Sequence, residues 1–183
     1  MRIVAGAFRG RRLHTPKNDR IRPTIDKVRE SVFNIIAEEV PGAKVLDLFA
    51  GTGAMGLEAL SRGARFCLFV DNGSEAVRLI RENIKLLAAD DLSKVIHGTA
   101  SSAIRRLSAQ NELFDLIFMD PPYGKGYVEE TFQIVCAVAG DGSLVVAEQH
   151  IKDSPPRIPA IWQKNHERRY GDTLILIYSK SDL

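Results

Sequence analysis

Five short apolar runs from Lys44 onward, separated by four stretches with helical periodicity, constrain this chain more than any other feature of it. Residues 45–49, 66–70, 95–96, 114–119 and 144–147 read as strands, and residues 55–61, 74–87, 101–108 and 127–138 as helices. The runs are continuous rather than alternating, which marks strands buried on both faces. Strands of that kind alternating with helices build a parallel sheet covered on both sides. Residues 166–169 and 173–178, around a Gly171-Asp172 turn, add a closing hairpin. The expectation is an α/β fold with a doubly wound, mostly parallel seven-stranded sheet, whose ligands bind at the carboxyl ends of the strands. At 183 residues the chain is expected to form one domain over 1–183.

Ahead of this pattern, residues 2–13 read as two short strands of a hairpin with Gly6 and Gly10 at its bends. Arg22-Pro23-Thr24 then starts a helix with Thr24 as N-cap. Ile25, Val28, Val32, Ile35 and Ile36 form one apolar face, and Pro41-Gly42 ends the segment. The formal net charge of +2 conceals an uneven distribution. Residues 1–29 hold nine Lys or Arg against Asp19 and Asp26, a net of +7, and the remainder carries −5. A basic arm over residues 1–23 joined to an acidic body points to a polyanionic partner.

Residues 45–56 run strand, glycine-rich turn, helix start: Val-Leu-Asp-Leu-Phe-Ala-Gly-Thr-Gly-Ala-Met-Gly. Gly51 and Gly53 let the backbone turn sharply and approach a ligand. Asp71, twenty residues after Gly51, ends the second strand, where a carboxylate can accept both hydroxyls of a ribose. Gly51-x-Gly53-x-x-Gly56 also fits a dinucleotide fingerprint. However, Asp47, just ahead of the glycines, would repel a pyrophosphate and hold an ammonium. S-adenosylmethionine (SAM), an adenosine bearing an amine, fits both acids.

Residues 114–123, Phe-Asp-Leu-Ile-Phe-Met-Asp-Pro-Pro-Tyr, place an acid, two prolines and an aromatic at the tip of the fourth strand. The prolines stiffen the loop and leave its carbonyls free to accept. Asp120 and the Pro121 carbonyl can then take both hydrogens of one planar amine, while Tyr123 offers a face on which a base stacks. Two acceptors on an exocyclic base amine turn its lone pair out of the ring, so the pattern points to amine methylation.

With both motifs in the right order, the sequence resembles the Class I SAM-dependent methyltransferases. More narrowly, it resembles the RsmD family of bacterial 16S ribosomal RNA guanine-N2 methyltransferases. The specific residues are Arg2-Ile3-Val4-Ala5-Gly6 with Arg9-Gly10-Arg11; Arg22-Pro23-Thr24-x-Asp26-x-Val28-Arg29-Glu30; and Phe49-Ala50-Gly51-Thr52-Gly53-Ala54-x-Gly56-x-Glu58-Ala59. The resemblance implies SAM against Asp47, Phe49, Gly51, Gly53 and Asp71. It implies the target amine at Asp120 and Pro121, Tyr123 stacked on the base, and Arg9, Arg11, Arg12, Arg22 and Arg29 toward RNA. Thr99 stands where relatives often carry an Asp or Asn against the adenine, so Thr99 and Ala100 are expected to take that contact. The implied partner is small-subunit ribosomal RNA or the small ribosomal subunit, and the protein is expected to be a monomer.

Other classes are disfavoured on residue grounds. No apolar run approaches the ~20 residues that span a bilayer, and Met1-Arg2-Ile3-Val4 lacks a signal peptide's apolar core, so the cytoplasm is the expected location. The histidines and cysteines show no metal-ligand spacing, so no metal is expected, and Cys67 and Cys136 are expected to be buried thiols. DNA amino methylation at adenine N6 or cytosine N4 suits the same loop but normally needs a target-recognition domain. A non-catalytic RNA-binding module has no use for three carboxylates at strand ends.

Overall fold

The computed structural model describes residues 1–16 and 26–181. Its elements are α1 (Asp26–Ile35), β1 (Lys44–Leu48), α2 (Ala54–Ser61), β2 (Phe66–Asp71), α3 (Ser74–Leu86), β3 (Ser93–His97), α4 (Ala100–Ala109), β4 (Phe114–Met119), α5 (Tyr127–Val135), β5 (Ala139–His150), β6 (Trp162–Tyr170) and β7 (Thr173–Lys180). The seven strands form one sheet in the order β3-β2-β1-β4-β5-β7-β6. β1 to β5 are parallel, whereas β7 runs antiparallel to β5 and to β6.

The apolar runs are continuous because alternate residues serve different layers. Val45, Leu116 and Phe118 pack with Val32, Phe33, Leu57 and Ile80 on the face carrying α1, α2 and α3. Leu46, Leu48, Ile117 and Met119 pack with Ile104, Leu107 and Phe132 on the face carrying α4 and α5. Strand order reverses between β1 and β4, where Leu48 lies beside Met119. Their carboxyl ends therefore open the crevice in which open α/β sheets bind ligands.

The N-terminal segment turns back on itself as the expected hairpin, but its pairing is short. Arg2 and Arg12 make an isolated antiparallel bridge, and around it Ile3 donates to the Arg11 carbonyl at 3.0 Å, Gly10 to the Ile3 carbonyl at 2.9 Å and Leu13 to the Met1 carbonyl at 3.2 Å. The ladder goes no further because the next amides are taken by α2: Val4 and Ala5 donate to the Glu58 carboxylate at 2.8 and 3.0 Å, and Phe8 donates to Ser61 Oγ at 2.9 Å. Gly6, at φ +82°, lies so close to α2 that a Cβ there would meet the Ser61 carbonyl oxygen at 1.8 Å. Thr24 and Ile25 lie outside the described residues. α1 stops at Ile35, earlier than expected, and the chain reaches Pro41 through turns. Cys67 is buried as expected, but Cys136 is partly exposed because Val135 takes the inward position; both are free thiols. Among the described residues, no helix is long and apolar enough to cross a membrane, and no group of His, Cys, Asp or Glu is placed to hold a metal.

Candidate active site

A cavity of about 500 Å³ opens at the carboxyl ends of β1, β2 and β4. Asp47, Phe49, Gly51, Asp71, Asp120, Pro121 and Tyr123 all line it, so both motifs face one space. Asp47 sits at the buried end of β1, 3% exposed, and Oδ2 accepts the Gly56 amide at 2.9 Å. Burial pushes its carboxyl up to about 8 and nearby Asp71 adds to this, while the Gly56 amide works in the opposite direction. A carboxylate held in that environment favours a cationic partner.

Asp71 organises the glycine loop. Its Oδ2 accepts the Gly51 amide and its Oδ1 the Gly73 amide, both at 2.8 Å. Each oxygen keeps a second lone pair for a ligand hydroxyl. Phe49 was expected to continue β1, but it leaves the strand at φ +57° and stacks on Tyr127, with ring centroids 6.0 Å apart. Gly53 does not line the cavity. It begins α2 at φ +77°, and a Cβ there would meet Phe69 Cε1 at 3.3 Å.

Tyr123 is fixed from below. Its hydroxyl donates to Glu148 Oε1 at 2.6 Å, and Thr173 Oγ1 lies within hydrogen-bond reach at 3.4 Å. Burial, with the Glu148 hydrogen bond second, pushes the phenol well above its ordinary range, so it stays protonated. Glu148 and Thr173, neither foreseen from sequence, also line the cavity. Glu148 carries the same signal as the other acids: it follows an apolar strand core at the carboxyl end of the sheet.

Several expected residues are placed elsewhere. Thr99 and Ala100 do not line the cavity. Thr99 instead caps α4, its Oγ1 accepting the Ser102 amide at 3.2 Å, and Ala100 packs into the core; Asn72, Gly73 and Ala76 line that edge of the cavity. Arg29 is fully buried rather than available to RNA. Position 29 shares the inward phase of Val32 and Phe33, and its guanidinium pairs with Glu58 at 3.3 Å and Asp26 at 3.0 Å and donates to the Arg2 carbonyl. Arg9, Arg11 and Arg12 are exposed, with Arg11 Nη2 donating to the Leu86 carbonyl at 2.6 Å. Arg22 lies outside the described residues.

The arm is nevertheless tied to the glycine loop. Buried Asn83 of α3 donates to the Thr52 carbonyl at 2.9 Å and to the His14 carbonyl at 3.1 Å, and accepts the His14 amide at 2.7 Å. A polar residue on the apolar face of α3, between Ile80 and Ile84, was the available signal for it.

The chain is similar along nearly its whole length to known proteins. The family described as Conserved hypothetical protein 95 matches residues 1–179. The Ribosomal RNA small subunit methyltransferase D of Escherichia coli (strain K12) is 32% identical over 182 residues, 98% of this chain and 90% of that protein. A solved structure of the Escherichia coli protein yhhF is 33% identical, covers 99% of this chain and 98% of that one, and superimposes with a TM-score of 0.87. The O-methyltransferase of Bacillus cereus in complex with SAH shares the fold at a TM-score of 0.70 and 13% identity, over 86% of this chain and 83% of that one.

Proposed function

We propose, from the premise that this chain belongs to the RsmD family of methyltransferases matched over residues 1–179, that it methylates the exocyclic N2 amine of a guanine in small-subunit ribosomal RNA. The observation that carries the reading is a single cavity lined both by Asp47, Gly51 and Asp71 and by Asp120, Pro121 and Tyr123.

The residues present fit SAM. The buried Asp47 suits the ligand's ammonium, and the remaining lone pairs of Asp71 suit the ribose diol. Phe49, Met55 and Ala76 give apolar wall to the rest of the molecule. When bound, SAM supplies a sulfonium-activated methyl group. The protein's own contribution is placement and charge. Asp120 and the Pro121 carbonyl accept the two amine hydrogens, which directs the nitrogen lone pair out of the base plane. Tyr123, held by Glu148, supports the base, and Asp120 takes the proton the amine sheds as its new bond to carbon forms. Preorganised acceptors of this kind act without reorganisation at the moment of reaction.

The exposed Arg9, Arg11 and Arg12 would contact phosphate, positioning RNA without reading its sequence. We place the enzyme in the cytoplasm, acting as a monomer on the ribosomal subunit or its RNA. The test is incubation with methyl-labelled SAM and small ribosomal subunits, naked ribosomal RNA or DNA, followed by mapping of the label. Label at a guanine N2 in small-subunit RNA is the expected result. Label on DNA amines would overturn the substrate, and no label anywhere would reduce the protein to a binding module.

A further inference from the structure

Resting on the reading above, we propose that the enzyme holds a second nucleobase, next in the strand to the one it methylates, in a separate cavity behind the Asp120–Tyr123 loop, with the Gln149 carboxamide reading its edge. The cavity has a volume of about 380 Å³, within the roughly 300–1,000 Å³ of sites that take small organic groups. It shares Pro121, Pro122, Tyr123 and Glu148 with the methylation cavity, so one loop separates the two spaces. Consecutive nucleotides of one strand could occupy them.

Gln149 gives this space its chemistry. It lies on β5 beside Glu148 and is 4% exposed. Its carboxamide nevertheless makes no hydrogen bond to any described residue. Unlike Arg29 Nη1, Ser143 Oγ and Trp162 Nε1, which are fully enclosed and unpartnered among the described residues, its amide group opens on the cavity it lines. Such an amide is left to solvent, whose place the edge of a bound base can take. A planar group with one acceptor and two donors matches the adjacent donor and acceptor atoms on a base edge.

The walls are consistent with a base and its backbone. Tyr127 lines this cavity while its ring stacks on Phe49, which lines the other, so aromatic surface continues from one to the next. Lys152 lines the cavity and Lys125 is exposed on the adjoining loop, both suited to phosphate. The two acids on the wall besides Glu148 are engaged with backbone. Asp153 accepts the Gly124 and His150 amides at 3.4 Å, and Glu129 accepts the Arg157 amide at 3.0 Å.

The experiment measures kcat/KM on small subunits reconstituted from transcripts carrying each of the four bases on either side of the methylated nucleotide. Wild type should favour one base at one flanking position by roughly 5- to 150-fold, the discrimination typical of a bidentate contact. Gln149→Leu should lose that preference and keep its affinity for SAM. Gln149→Glu, which keeps shape and polarity should the leucine variant fail to fold, should change which base is preferred. Equal use of all four bases by wild type, or an unchanged preference in the variants, overturns the proposal. If wild type transfers no methyl to any transcript, the methyltransferase reading itself fails and this proposal falls with it.

Discussion

At the scale of single residues, three acids at strand ends do different work because their surroundings differ. Asp120 lines the cavity at the tip of β4, and its proposed role is toward the reacting amine rather than the cofactor. Asp120→Ala should therefore leave SAM affinity within about twofold and lower methyl transfer by the 10²- to 10⁴-fold typical of a lost proton acceptor. Calorimetry paired with single-turnover assays separates the two, and equal loss of both would make Asp120 structural. Asp47 is governed by burial, and its carboxyl, raised from an ordinary 3.8 to about 8, has a definite linkage sign. Below about pH 4 it is neutral in folded and unfolded chains alike. As pH rises toward 8 only the unfolded chain ionises, so this group's contribution to stability is lost across that window. Ligand-free wild type should thus lose stability from about pH 5 to 8, and Asp47→Asn should flatten the profile in thermal melts. Because the ammonium requires the ionised carboxyl, SAM affinity should climb close to tenfold per pH unit below about pH 7.5. A pH-independent affinity would mean that the amine binds elsewhere.

At the scale of elements, the N-terminal segment, α1 and α2 are held together by one buried carboxylate. Glu58, wholly buried, receives the Val4 and Ala5 amides, Arg29 at 3.3 Å and Arg62 at 2.9 Å. Removing Arg29 would leave that carboxylate short of a charge partner, so Arg29→Ala should cost about 3–5 kcal/mol in denaturant unfolding. A loss under about 1 kcal/mol would show that Arg62 and the amides suffice. This junction also shows what a sequence conceals. The apolar strand cores are legible because burial on two faces demands nearly continuous hydrophobicity; Asp47 stands out as an acid within such a run, and Asp71 and Asp120 as acids ending one. Glu148 carries the same signal but has no motif around it. Thr99 caps α4, a role that a hydroxyl ahead of a helix fills as readily as a ligand contact, and nothing local in the sequence separates the two. Arg29 adds to the charge of the basic arm although helix phase turns it inward, which a charge count ignores. The hairpin expected in residues 2–13 forms but stays short for a different reason: the Val4, Ala5 and Phe8 amides find partners in Glu58 and Ser61, more than fifty residues away, which no local pattern records.

For the whole molecule, the +7 carried by residues 1–29 divides into internal and external charge. Arg29 neutralises Glu58 inside the fold, and Arg2 lies 3.9 Å from Asp26, so neither serves as a free cation. Arg9, Arg11 and Arg12 remain exposed on a segment that Asn83 ties to the loop holding Thr52 on the cavity wall. Because the tether is short and buried, phosphate bound by these arginines would be fixed relative to the cofactor loop. Each phosphate contact releases counterions, and losing one lowers the slope of log affinity against log salt by roughly 0.7 to 0.9. Replacing all three with glutamine should therefore reduce that slope by about 2 in filter binding to small-subunit RNA. It should weaken binding most at low salt and leave SAM affinity unchanged. The last point matters, because Arg11 also donates to the Leu86 carbonyl at the end of α3. If SAM affinity fell together with RNA affinity while the salt slope stayed constant, the arginines would be bracing the cofactor loop, and the RNA surface would have to lie on another face.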